Sequence, residues 1–388
     1  MFEIVTQLKQ KGFYCIFIVV LVTACKNDPN EYKKHLAAKK DTSKFFRSLL
    51  IDEIGFYQHA VQAACDTLLD SSDFNGSILV AKNGEIIFEK YQGYADFEKK
   101  TAITTATPFH LASISKTFTA MAILRLSEQG KLKLDDSLQI FFPGFPYPGI
   151  TIKMLLCHRS GLPNYLHFMD KWESNKIILN NDVIDYLFQN KPAILWPPDS
   201  HFSYCNTNYV ILATLMERVT GKAYPVYLKE EIFKPLGMRD SYVFTPKDTA
   251  SYTPTWSVTK PYPMDEFDFT YGDKNVYSTV RDLLRWDGAL YQNMFVSKKS
   301  TELAFTPMSH EKETMHNYGL GWRLFYKGKD TLIYHNGKWH GSNTLFNRWV
   351  QDTATVIVLS NKTNTIVYQM KQLGNIFHEN RGTSFQPE

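Results

Sequence analysis

The chain has 388 residues, 44% of them hydrophobic, with a formal net charge of +4. That length allows one large domain or two modest ones, each with a sizeable buried core. With 27 Phe, 22 Tyr and 7 Trp the chain is too aromatic for a disordered tail, and neither composition nor any motif suits nucleic acid.

The N-terminal end carries a targeting signal. Lys9 and Lys11 precede an apolar run from Gly12 to Ala24 that ends at Cys25. The run falls short of the roughly 20 residues that cross a bilayer and suits the central region of a signal peptide. Its ending, L-V-T-A-C, resembles the bacterial lipoprotein cleavage box. That resemblance implies residues 1–24 as a removed signal peptide, lipidation of the Cys25 thiol, and export to a membrane surface. Lys26 after the cysteine favours the outer membrane by the same analogy. An uncleaved anchor or an ordinary signal peptide are the alternatives. Residues 25–50, with Lys33, Lys34, Lys39, Lys40, Lys44 and Arg47, read as a solvated polar tether. Residues 51–380 remain for the globular domain.

Apolar residues at helical spacing predict a helix over about Leu49 to Leu69. From Gly76 to Gly93 two apolar, β-branched runs flank Asn83-Gly84, a strong hairpin signal. Ser113-Ile114-Ser115-Lys116 opens a helix that is apolar on nearly every side as far as Arg125, and a helix of that kind belongs in a core. Another helix spans Asn206 to Thr220, with Gly221 just past its end, and a further one starts after Ser278 or Thr279. Residues from about Gly319 to Asn361 are rich in strand formers, and a last helix covers Ile366 to Phe377. Strands at both ends with helices between them predict an α/β (α+β) sandwich. Its antiparallel sheet is built from both termini and covered by helices, with an inserted, mostly helical lobe and a cleft between the two. Cys65, Cys157 and Cys205 show neither disulfide nor metal spacing and read as small core residues.

In a helix, residues three apart share a face about 5–6 Å apart, so Ser113 can meet the Lys116 amine. A serine hydroxyl needs a base to become a nucleophile, and a lysine serves once burial lowers its pKa from about 10.4. The helix N-terminus adds a backbone N–H and a positive dipole end for an oxyanion. Ser-x-x-Lys recurs at Ser257/Lys260 and Ser309/Lys312, both in segments that read as exposed loops. Tyr-x-Asn occurs at Tyr204–Asn206 and again at Tyr291–Asn293, the latter at a helix end that reads as surface.

Three ordered motifs, S-I-S-K at Ser113–Lys116, Y-C-N at Tyr204–Asn206 and H-N-G at His335–Gly337, resemble those of the penicillin-recognising serine hydrolases. That family relates class C β-lactamases, D,D-peptidases and esterases, and its Ser-x-x-Lys signature is well known. The text C-H-R-S-G-L-P, I-F-K-P-L-G-M and Y-G-L-G-W agrees, over about Gly76 to Asn361. The resemblance implies a β-lactamase/transpeptidase-like fold and an acyl-enzyme on Ser113, with Lys116 and Tyr204 as the proton-transfer pair. It implies that Asn206 bonds Lys116 or the substrate amide, and that His335, Gly337 and Lys338 line the substrate strand, the amides of Ser113 and Lys338 forming an oxyanion site. Gly337 would keep that strand open to substrate. No cofactor or metal is called for, and the partner is a small-molecule or peptide substrate. Where β-lactamases carry Lys, this chain has His335, mostly neutral at pH 7, with Lys338 and Arg348 as nearby replacements. The readings left open are an esterase, amidase or peptidase, a true β-lactamase or D,D-carboxypeptidase, and a catalytically silent module that binds cell-wall peptides. The intact Ser113, Lys116 and Tyr204 argue against the last.

Overall fold

The computed structural model describes residues 46–70, 72–168, 177–311, 314–327 and 330–377. The signal sequence, Cys25, most of the tether and Lys312 lie outside the described residues. No helix among the described residues is long and apolar enough to cross a membrane.

Helix α1, Ile51–Leu69, leads into strands β1, Gly76–Lys82, and β2, Glu85–Gln92. Asn83 and Gly84 join them with φ of 52° and 74°, the left-handed pair that matches the twist of a tight hairpin. Five strands come from the other end: β3, His316–Tyr318; β4, Arg323–Lys327; β5, Asp330–Trp339; β6, Ser342–Trp349; and β7, Ala354–Ser360. The sheet runs β2-β1-β7-β6-β5-β4-β3, antiparallel throughout. Strand β1 lies against β7, Gly76 opposite Ser360 and Lys82 opposite Ala354, so the two ends of the domain close one sheet.

The central strands β1, β7 and β6 are buried at nearly every position because both faces are covered. Ile78 and Val80 pack with Val61 and Cys65 of α1 and with Leu373. Leu79 and Ala81 point the other way, into a core shared with Phe118 and Ile123. Those two belong to α2, Ser115–Glu128, which is buried from Ser115 to Leu126. Helices α3, Asn206–Thr220, and α4, Val280–Tyr291, complete the frame of the lobe. Gly221 ends α3 at φ 67°, and the Thr279 hydroxyl caps α4 by accepting from the Asp282 N–H at 3.1 Å. The lobe also holds a small sheet of Phe109–His110, Val276–Ser278 and Tyr242–Val243. Strands of two or three residues leave no periodic trace in a sequence.

Two expectations change. The last segment is one α-helical turn, Ile366–Gln369, followed by a 3₁₀ stretch, Met370–Phe377. Met370, Leu373 and Ile376 pack on one cluster at a spacing of three, which eclipses side chains in a 3₁₀ helix. Tyr291 does end α4, but its hydroxyl is buried and the Arg348 guanidinium lies over its ring at 4.6 Å. The cysteines sit in the core, where burial pushes the Cys65 and Cys205 thiols up to about 11 and Cys157 to about 12. Thiols held protonated in this way are inert.

Candidate active site

A single 3₁₀ turn, Ala112–Ile114, precedes α2 and carries Ser113. Ala112 is left-handed, φ 48°, a conformation that a non-glycine residue keeps only when its surroundings impose it. Those surroundings are visible. Leu111 N–H donates to the Val276 carbonyl at 2.8 Å, and the Thr344 hydroxyl on β6 donates to the Leu111 carbonyl at 2.8 Å. Gly337 on β5 lies directly beneath, where an added Cβ would meet Thr344 Oγ1 at 2.2 Å and the Leu111 oxygen at 2.3 Å. The glycine is needed because the serine turn itself presses on the strand, a closer constraint than room for substrate.

Lys116, one turn on, has no exposed surface. Its Nζ lies 3.1 Å from Ser113 Oγ and donates to the Asp273 carbonyl at 2.7 Å. Asn206, at the start of α3, takes no part in these bonds and lines the cavity instead. Lys116 also sits over the Tyr204 ring at 5.1 Å, while Arg323 from β4 lies over the same ring at 5.3 Å. His158 packs against Tyr204 with ring centres 4.2 Å apart. The Cys205 N–H donates to His158 Nδ1 at 3.1 Å, so His158 fixes both the ring and the residue after it. Burial, then the Lys116 and His335 neighbours, pushes the His158 pKa well below its ordinary value.

His335 is fully buried and is no contact for a substrate. Tyr318 OH lies 3.0 Å from its Nε2, and its Nδ1 lies 2.8 Å from the Asn336 carbonyl. Burial first, then Arg323 and Lys116, holds its pKa well below the usual range. Arg348 is likewise withdrawn, buried and ion-paired with Asp287. Arg323, from β4, and Lys338 do line the cavity.

A cavity of about 800 Å³ opens at this point, lined by Ser113, Tyr204, Asn206, Arg323, Gly337 and Lys338 among others. Among the described residues its wall carries four basic side chains, Lys274, Arg323, Lys338 and Lys371, against one acid, Asp273. Lys274 is committed to Asp273 at 3.5 Å and to the hydroxyls of Tyr165 and Thr270. Of the expected residues, then, Ser113, Tyr204, Asn206, Gly337 and Lys338 share one cavity with Lys116 directly behind, and His335 lies apart from it. The sequence reading names none of Arg323, Tyr318, His158 or Asp273. Tyr318 and His158 lie in Y-G-L-G-W and C-H-R-S-G-L-P, whose presence was visible but whose partners were not. Of the other Ser-x-x-Lys pairs, Ser257 bonds the Lys260 backbone in an exposed turn.

Residues 63–380 match the family described as Beta-lactamase. Penicillin-binding protein 4* of Bacillus subtilis is 36% identical over 328 residues, covering 80% of this chain and 73% of that protein. Among solved structures, a penicillin-binding protein from Bacillus halodurans superposes with a TM-score of 0.71 at 24% identity, covering 79% of this chain and 96% of that one. D-amino acid amidase from Ochrobactrum anthropi SV3 gives 0.67 at 22% identity, covering 83% and 98%; at these identities the likeness concerns the fold.

Proposed function

The chain belongs to the Beta-lactamase family and is a serine acyl hydrolase acting on ester, amide or peptide substrates, and from that premise we propose that Ser113 forms the acyl-enzyme with Lys116 as its base. The observation that carries this is the 3.1 Å approach of a fully buried amine to the Ser113 hydroxyl. In its neutral form the amine, with one hydrogen directed at the Asp273 carbonyl, presents its lone pair to the hydroxyl proton as Oγ attacks the substrate carbonyl. The serine turn lies against Gly337, so the amides of Ser113 and Lys338 are the pair to hold the resulting oxyanion. Tyr204, beneath Lys116 and Arg323, passes a proton to the departing amine or alcohol, and water then releases the acyl group.

The finer reading is a substrate that carries a carboxylate beside the scissile bond. Arg323 and Lys338 on the cavity wall attract it, and the buried, neutral His335 does not. Export and lipid anchoring at Cys25 belong to the same reading and are tested by palmitate labelling, which a Cys25→Ser change abolishes.

The decisive experiment offers a short-chain ester, a cephalosporin and a D-Ala-D-Ala peptide to the parent and to Ser113→Ala. At least one is hydrolysed by the parent and none by the variant, and Lys116→Met lowers acylation by roughly 10²–10⁴-fold. Equal rates in parent and Ser113→Ala remove the assignment. A parent that no fluorophosphonate labels is instead the silent binding module.

A further inference from the structure

Away from Ser113, the turn between β5 and β6 brings His340 against two aspartates of the helical lobe. His340 Nε2 lies 3.1 Å from Asp268 Oδ1 and 3.4 Å from Asp265 Oδ2. One ligand atom from each of the three residues lies within 4.8 Å of the others. Atoms that share a tetrahedral zinc at about 2.0–2.2 Å stand roughly 3.3–3.5 Å apart, so the cluster is already close to that spacing.

The carboxylates are also aimed. Asp268 Oδ2 accepts the Asp265 N–H at 2.8 Å, and Asp265 Oδ1 accepts the Phe267 N–H at 2.8 Å. Each second oxygen is thereby left facing His340. Asp268 Oδ1 is steadied by the Trp339 indole N–H at 2.7 Å. Hydrogen bonds of this kind orient ligands around a metal.

An independent observation points to an occupant. A small cavity of about 20 Å³ is lined by Asp268, His340 and His110, room for a single water. His110 is 3% exposed and its Nδ1 has no hydrogen-bond partner among the described residues. The Asn275 amide N–H donates to the Asp268 carbonyl at 2.6 Å, which turns Asn275 Oδ1 to His110 Nε2 at 2.9 Å. Nε2 therefore carries the hydrogen, and in a neutral imidazole Nδ1 is a bare acceptor. A buried acceptor with nothing to accept, at the wall of a one-water cavity, calls for a polar occupant.

We propose that Asp265, Asp268 and His340 bind one divalent transition cation, preferentially zinc, with a water in the adjoining cavity as fourth ligand and His110 accepting that water's hydrogen bond. Two carboxylates balance the cation's charge. The metal takes the place of the hydrogen on His340 Nε2, leaving the ring proton on Nδ1. Three protein ligands with a water as the fourth leave that position exchangeable, the pattern of an open zinc site rather than one closed by four side chains. The ion would join the β5–β6 turn of the sheet to the 265–268 segment of the lobe. This inference does not depend on the reaction proposed at Ser113.

The test uses the full chain, stripped with a chelator, reloaded with zinc and desalted, with bound metal measured by mass spectrometry. Cobalt(II) in place of zinc reports ligand geometry through its visible absorption. One equivalent is expected, together with tetrahedral cobalt bands and a melting temperature that zinc raises. His340→Ala and Asp268→Asn weaken binding by at least about 10-fold and abolish the zinc-dependent rise. Asp265→Asn serves as a further variant, and near-ultraviolet circular dichroism establishes that each variant is folded. Substoichiometric zinc in the parent, or equal binding by folded variants, overturns the site.

Discussion

Arg323 lies over the Tyr204 ring and faces the cavity, so it touches both the proton-transfer group and the space a substrate occupies. A hydrogen bond to a charged group contributes about 1.5–3 kcal/mol, which corresponds to roughly 10–100-fold in affinity. Arg323→Ala is therefore expected to raise KM by that factor for a carboxylate-bearing amide while changing KM for a neutral short-chain ester much less. Steady-state kinetics on the matched pair checks this, and an equal rise for both substrates would mean that Arg323 acts only on Tyr204. Ser113 and Lys116 were legible in the sequence because their meeting needs nothing beyond one helical turn. Arg323 was not, because its partner stands on a distant part of the chain and only the sheet brings β4 beside the start of α3. His335 was half legible. Alternation on a strand puts it on the same side as Ile333, which faces the lobe core, but nothing local says that Tyr318 waits there to bind its ring.

Among the elements, the join between the serine turn and β5 carries the tightest constraint. A Cβ on Gly337 would meet the Leu111 carbonyl at 2.3 Å and Ala112 Cβ at 3.0 Å. The Leu111 carbonyl is backbone and the Thr344 hydroxyl, at 2.2 Å, is tied to it by a hydrogen bond, so Gly337→Ala must lift the Ala112–Ser113 turn away from the strand. A displacement near 1 Å in a reacting group costs on the order of 100-fold in rate. That loss in kcat, with a lowered melting temperature, is the expected outcome, whereas a variant of parental kcat would show that the turn is not held by this contact. Elements with strong local chemistry were readable: the Asn83-Gly84 hairpin, α3 ended by Gly221, and α4 capped by Thr279. The C-terminal stretch was readable as helical but not as 3₁₀. Gly374 lies against the Trp349 ring, which a Cβ would meet at 2.0 Å, and a packing partner on β6 is invisible to a local pattern.

At the scale of the whole molecule, three buried neutral histidines among the described residues brace the sheet and the lobe from within and make the fold sensitive to acid. His335 joins β5 to Tyr318 of β3, His158 holds the N-terminus of α3, and His110 braces the small sheet through Asn275. Burial pushes the His110 pKa down to about 4 and those of His158 and His335 well below their ordinary value. A histidine with a folded pKa below its unfolded value of about 6.5 leaves the unfolded chain binding the extra proton as pH drops. Its contribution is present in full above about pH 6.5 and is lost toward the folded pKa, at about 1.4 kcal/mol per pH unit for each proton. His340 runs the other way in metal-free protein, because Asp268 and Asp265 outweigh its burial and raise its pKa; its contribution is present below about 6.5 and lost as pH rises through the folded value. Near pH 5.5 His340 is protonated in both states and adds almost nothing to the slope, so the three buried rings leave a net uptake of nearly three protons on unfolding. Denaturant unfolding of the metal-free protein at pH 7, 6 and 5 should therefore show stability holding near neutrality and then falling with a slope that approaches about 4 kcal/mol per pH unit below 6.5. A flat profile between pH 7 and 5 would mean that these rings are protonated in the folded state, and then Tyr318 could not donate to His335 nor the Cys205 N–H to His158, the two bonds that shape the wall behind Tyr204.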